Sequence, residues 1–184
     1  MITYQRTLDL ARAGERGRDW YSDARQQRDA VCARNQWDRE QFTAILAVTS
    51  PRVAVRRNIR ITYRYMLGED WTAGTIASVR TSVATWEQHR EIRGPKTSAF
   101  FRCLMGYEQS IVLDSWMAYA FDVDKQKVNQ VKLGGQIKQR IRFAAQATGW
   151  TNAQTQAAIW TAIMAETGRN DQPFCIEEVD KEYL

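Results

Sequence analysis

Apolar residues recur at helical spacing in one segment after another of this chain, and no segment alternates apolar and polar residues over the length of a strand. The first helical segment runs from Ile2 to Ala13, with Leu8, Leu10 and Ala11 apolar, and Gly14-Glu15-Arg16-Gly17 ends it. Asp19 begins a second that reaches Asn35. Trp20, Tyr21, Ala24 and Val31 face a core there, and Arg25, Gln26, Gln27 and Arg28 form a solvated face. Asp38 reads as the N-cap of a third helix with Phe42, Ile45, Leu46 and Val48. It stops at Thr49-Ser50-Pro51, because proline disfavours helical geometry in the residue before it. Pro51, a good first-turn residue, opens the next helix, which carries Val53, Val55, Ile59, Ile61, Tyr63 and Met66.

Gly68-Glu69-Asp70 is a linker, and Thr72 to Glu87 forms one or two short helices with Ile76, Val79, Val83 and Trp86 on a common face. Gly94-Pro95 turns the chain into a helix from Thr97 to Met105, closed by Gly106. Asp114 is the N-cap of an apolar helix from Ser115 to Phe121. Asp122 to Lys132 is polar, Gly134-Gly135 marks a turn, and Gln136 to Thr148 is a helix that Gly149 ends. Asn152 caps the helix from Ala153 to Glu166, whose stripe is Ala157, Ile159, Trp160, Ile163 and Met164. The tail from Gly168, with Pro173 and Glu177-Glu178, reads as peripheral. The pattern predicts an all-α fold of roughly seven to nine helices.

Composition narrows the function classes. The 184 residues fit a single domain, or one core with two lobes. A net charge of +5 with pI about 9.3 suits a polyanionic partner without demanding one. Three unspaced cysteines, Cys32, Cys103 and Cys175, fit a reducing cytosol rather than a disulfide scaffold. His89 is the only histidine and reads as a surface residue, which makes histidine metal sites and serine–histidine triads poor explanations. No apolar window approaches a membrane span and no signal-peptide pattern opens the chain, so a cytoplasmic, soluble protein is expected.

The chemistry concentrates in Gly94 to Phe121. One lysine, Lys96, stands at the start of an apolar helix, and Asp114 follows it by 18 residues, just after Ile111-Val112-Leu113. A helix-turn between them can bring amine and carboxylate to one cleft. Gly94, Lys96, Thr97, Gly106, Val112 and Asp114 resemble the corresponding motif of the helix-hairpin-helix (HhH-GPD) DNA glycosylase superfamily, in its endonuclease III-like branch. The chain departs from the family at Arg90-Glu91-Ile92-Arg93-Gly94-Pro95, where the first hairpin glycine is absent, and at Ser115-Trp116, where a histidine is common. Its cysteines are too few for the four-cysteine iron–sulfur cluster of some members, so no cluster, metal or other cofactor is expected.

The resemblance implies two helical lobes with a central cleft, one spanning 38–110 and the other 1–37 with 111–184, within a single 1–184 domain. It implies Lys96 as nucleophile and Asp114 as its acidic partner. Cleaving an N-glycosidic bond builds positive charge on the sugar, which a carboxylate stabilises. A lysine attacks only as the neutral amine; burial among Phe100, Phe101 and Trp116 and its helix N-terminus would lower its pKa. The target base must leave the stack. Trp20, Tyr21, Trp116 and Trp160 are candidates to sandwich it, Gln156 lies four residues from Trp160, and Ser50 with Arg52 falls where the family fills the gap left by the base.

Arg52, Arg56, Arg57, Arg60 and Arg64 alternate with apolar residues after Pro51. Phosphate binding and an ordinary solvated face account for them equally well. Arg52, Arg56, Arg57, Arg93 and Gly94 are thus the candidate DNA contacts. The expectation is a monomeric glycosylase/lyase acting on double-stranded DNA with a damaged or modified base, in the cytoplasm or on the nucleoid, in a phage or anti-phage setting. A base-modifying enzyme on the same scaffold, or a non-catalytic DNA-binding protein, are the alternatives.

Overall fold

The computed structural model describes residues 1–168 and 175–183, and every regular element among them is helical. Ten α-helices run in order: α1 Tyr4–Ala13, α2 Trp20–Asn35, α3 Arg39–Thr49, α4 Val55–Met66, α5 Ala77–His89, α6 Pro95–Met105, α7 Ser115–Ala120, α8 Val131–Thr148, α9 Asn152–Glu166 and α10 Ile176–Asp180. A 3-10 turn, Glu15–Gly17, separates α1 from α2. The expected Pro173 lies outside the described residues.

The chain divides into two units, Met1–Tyr21 with Gly106–Asp171, and Ser22–Met105 with Gln172–Leu184. The first is built on α1, α8 and α9, which pack on one another, with α7 against α9. Its core joins Leu8, Leu10, Ile111, Leu113, Met117, Phe121, Ile137, Ile141, Ile159 and Ile163. Helix α1 comes so close to α9 that a Cβ on Gly14 would stand 1.9 Å from the Ala158 carbonyl oxygen. The second unit is built on α3, packed by α4, α5 and α6, with α10 on α4. Ala44, Ile45, Val48, Val83 and Trp86 form its core cluster, flanked by Tyr65, Trp71, Ile92 and Phe101.

Arg28 pins this second unit from within. Its guanidinium, almost wholly buried, donates to the Leu104 carbonyl at 2.8 Å and to Thr43 Oγ1 at 3.1 Å, and its charge is met by Asp29 at 2.7 Å. One residue of α2 thereby holds α3 and the C-terminal end of α6, where a cation also complements the helix dipole.

Five local expectations are corrected. Arg28, read as part of a solvated face, is buried at 7% exposure. Helix α4 starts at Val55, not Pro51: Pro51 and Arg52 form a turn, with Arg52 at φ +61°, a left-handed conformation that interrupts a helix. Gly134-Gly135 is not a turn but part of α8; a Cβ on Gly134 would meet the Val128 carbonyl oxygen at 2.9 Å and Leu113 Cδ1 at 3.3 Å, so that glycine provides room rather than a bend. The cap of α9 is Thr151, whose side chain accepts from Gln154 N while Gln154 returns a bond to Thr151 N, and Asn152 is already helical. The tail is not peripheral at 176–180: Ile176, Val179 and Asp180 are buried.

Candidate functional site

Gly94, at φ +92°, makes the turn that sets the start of α6, a conformation that costs least for glycine. Ser98 N bonds back to the Gly94 carbonyl at 3.0 Å, and the Thr97 hydroxyl donates to the Arg93 carbonyl. Pro95 occupies the first helical position, where its missing N–H costs nothing. Lys96 therefore stands in the first turn of α6, half-buried, as do Phe100 and Phe101 one turn on. Arg93 is committed to Glu91, at 2.8 Å and 3.0 Å, and holds that carboxyl below its ordinary range. Arg90 takes a left-handed conformation at the end of α5 and lies over the Trp86 ring at 5.2 Å.

Asp114 belongs to the other unit. Ile111, Val112 and Leu113 lead to it as a buried, non-helical run, and Asn129 Nδ2 fastens the Leu113 carbonyl at 3.1 Å. Asp114 is the N-cap of α7: its Oδ1 accepts from Trp116 N at 3.0 Å and Met117 N at 2.9 Å, with Oδ2 outside those two bonds. Trp116 packs on the same core cluster as Trp160.

The structure brings four of the expected base-pocket residues together within the first unit. Trp20 meets Tyr21 edge-on at 5.1 Å and Trp160 at 6.0 Å, and the Tyr21 hydroxyl donates to Gln156 Oε1 at 2.9 Å. Gln156 is only 4% exposed. The neighbouring pair, Gln154 Nε2 to Asp19 Oδ1 at 3.0 Å, ties α9 to the residue preceding α2. Ser50 lies in the second unit, at the end of α3, and its hydroxyl donates to the Ala47 carbonyl at 2.8 Å.

The arginines of α4 are not all left to solvent. Glu182 accepts from two Arg60 nitrogens, Nε at 2.7 Å and Nη2 at 2.8 Å, and from Arg56 Nη2 at 2.8 Å; Arg56 also reaches Glu178 at 3.3 Å. Arg57 donates to the Gly74 carbonyl at 3.4 Å, and Arg52 lies in the turn before the helix. The hydrogen bonds from Arg60 and then Arg56 hold the Glu182 carboxyl down at about 2. Two residues earlier, buried Asp180 accepts from the Tyr63 hydroxyl at 2.9 Å and from Asn35 Nδ2 at 3.3 Å, and is paired with Arg34. Burial, then the bond to Asp180, raises the Tyr63 phenol far above its ordinary value.

The sequence places Tyr63 only among the apolar positions of its helix and does not single out Asp180 or Glu182; the one available signal is an acidic run, Glu177 to Glu182, far downstream of a basic helix. Among the described residues no group of three or more His, Cys, Asp or Glu is placed to hold a metal ion, and no helix is long and apolar enough to cross a membrane.

No curated protein and no solved structure matches the chain. A family model does match, over residues 4–167, nearly the whole length. The chain belongs to DUF7178, a family of unknown function.

Proposed function

We propose that this protein is a DNA glycosylase with lyase activity, of the helix-hairpin-helix kind, that extrudes and excises a modified base from double-stranded DNA. The reading takes the protein to act as a cytoplasmic monomer. One observation carries it: Lys96 sits in the first turn of a helix entered through a positive-φ glycine, and 18 residues later Asp114 caps the next helix while keeping one carboxylate oxygen outside the cap. A first-turn amine and a cap carboxylate are the two groups this chemistry requires.

In the proposed reaction the neutral Lys96 amine attacks the anomeric carbon as the N-glycosidic bond breaks, and the base leaves with the bonding electrons and takes up a proton. Asp114 stabilises the positive charge that develops on the sugar and accepts a proton from the attacking amine. Ring opening gives a Schiff base, from which the 3′ phosphate is eliminated. Trp20 and Trp160, both half-buried, supply an aromatic surface of the kind a flipped base stacks on, and Tyr21, against Trp20, is bonded to Gln156. A phage-modified base is the proposed target class.

The test is borohydride trapping on DNAs carrying different modified bases. A covalent protein–DNA adduct that vanishes in Lys96→Ala supports the reading. Base release that survives Lys96→Gln but not Asp114→Asn replaces the lyase with a monofunctional glycosylase. Absence of abasic sites, adducts and altered bases on every DNA tested sinks it.

A further inference from the structure

The carboxylate of Glu182 is gripped as a phosphate would be. Arg60 offers Nε and Nη2 to its two oxygens, at 2.7 Å and 2.8 Å, and Arg56, one helical turn earlier, adds a third bond at 2.8 Å. A fork of this kind takes carboxylate and phosphate oxygens with the same geometry. The segment that delivers Glu182 does not need it for anchorage. Ile176, Val179 and Asp180 are buried, and Asp180 is bonded to Tyr63, Asn35 and Arg34. The Glu182 contacts are instead exposed, with Arg56 and Arg60 side chains 49% and 45% accessible, where an ion pair adds little to stability. Their main consequence is therefore to neutralise two arginines on an otherwise basic helix.

We propose that Arg56 and Arg60 form a DNA phosphate site that Glu182 fills in cis, so that the Glu182 side chain, two residues past α10, is an electrostatic clasp which the DNA backbone displaces. The inference rests on the reading of DNA as substrate and adds a regulation to it. Only the Glu182 side chain has to move: it swings away while the buried anchor, and Tyr183 stacked on the Tyr63 ring, stay. Among the described residues the carboxylates that reach the two guanidiniums are Glu182 and Glu178, with Tyr183 and Cys175 also near Arg60, so removal of Glu182 leaves Glu178 as the weaker competitor for Arg56.

The experiment measures fluorescence anisotropy of a labelled, unmodified duplex with the full chain, across a salt series. Glu182→Gln is expected to bind about three- to tenfold more tightly than the parent, with a salt dependence steeper by about one phosphate contact. Arg56→Gln with Arg60→Gln, placed in the Glu182→Gln background, is expected to abolish that gain. Glu182→Ala is the second variant, and matching melting curves establish that all are folded. Unchanged or weaker binding by both Glu182 variants overturns the clasp while leaving base excision to the trapping experiment. Tighter binding without any adduct on modified DNA supports the clasp and removes the lyase. Failure of every variant to bind duplex at low salt overturns the clasp and the DNA reading together.

Discussion

The Tyr63 hydroxyl donates to Asp180 Oδ1 at 2.9 Å, inside a unit where Asp180 is 2% and Tyr63 1% exposed. Asp180 also satisfies Asn35 and Arg34, so one carboxylate ties α10 to α2 and α4. Asp180→Ala leaves the buried Tyr63 phenol without its acceptor and the Arg34 charge without its partner, while Asn35 Nδ2 keeps the Val31 carbonyl, and it is expected to cost about 2–4 kcal/mol in chemical denaturation. Tyr63→Phe, which removes one donor and keeps the ring against Trp37 and Tyr183, is expected to cost about 1 kcal/mol.

Gly14 provides a second stability test, in the other unit. Its would-be Cβ meets backbone, the Ala158 carbonyl oxygen at 1.9 Å and Ala162 N at 2.8 Å, and neither can turn aside. Gly14→Ala is expected to destabilise by about 3 kcal/mol. Gly17→Ala is expected to cost about 3 kcal/mol as well, because its Cβ would meet Thr161 Oγ1 at 1.8 Å and Thr161 Cβ at 2.6 Å, and no rotamer moves the Cβ. A loss under about 1 kcal/mol at either position, read from thermal or urea unfolding, would contradict the packing argument.

Asp114 has a structural and a proposed chemical duty, and two substitutions part them. Asparagine caps a helix about as well as aspartate, so Asp114→Asn is expected to hold stability within about 0.5 kcal/mol. Asp114→Ala should lose about 1 kcal/mol, since Trp116 N and Met117 N lose their acceptor. Both variants are expected to lower base release by about a hundredfold or more. An Asp114→Asn protein with full excision activity would leave Asp114 as a cap alone.

The Glu182 carboxyl titrates low because its charged form is held by Arg60 and Arg56, at about 2 against an ordinary 4.5. A depressed folded-state value means that the contribution is complete above about 4.5 and is lost as pH falls toward 2. Carboxyl-carbon NMR should show the Glu182 midpoint near 2 in the parent and a clear rise in Arg60→Gln, with a smaller rise in Arg56→Gln. A midpoint near 4.5 in the parent would mean that the arginines do not hold the carboxylate in solution.

What the sequence disclosed was local. Asp38 accepts from Gln41 N at 2.7 Å, Asp114 caps α7, and Gly149, at φ +74°, ends α8; each signal lies within a few residues of what it specifies. The misreadings share the opposite property. Gly134 looks like a turn until Val128 and Leu113 are seen beside it, and Pro51 looks like a helix start until Arg52 turns left-handed. The contact between Tyr21 and Gln156 is legible only as two candidates for one pocket, not as a hydrogen bond, because 135 residues separate them. The arginines of α4 allowed two readings, bound phosphate or bare solvent, and the structure supplies a third occupant, Glu182, separated from Arg60 by 122 positions. An acidic tail carries no mark in its own composition of which basic helix it will meet.

The distance along the chain between Arg34 and Asp180, 146 positions, has a consequence for synthesis. Helices α2 to α6 leave the ribosome early, yet the carboxylate that joins α2 to α4 is translated after all of α7, α8 and α9. The early helices must wait, with Tyr63 and Arg34 unsatisfied by Asp180, until α10 emerges. A nascent chain stalled before α10 should therefore be the protease-sensitive and chaperone-bound form of this protein.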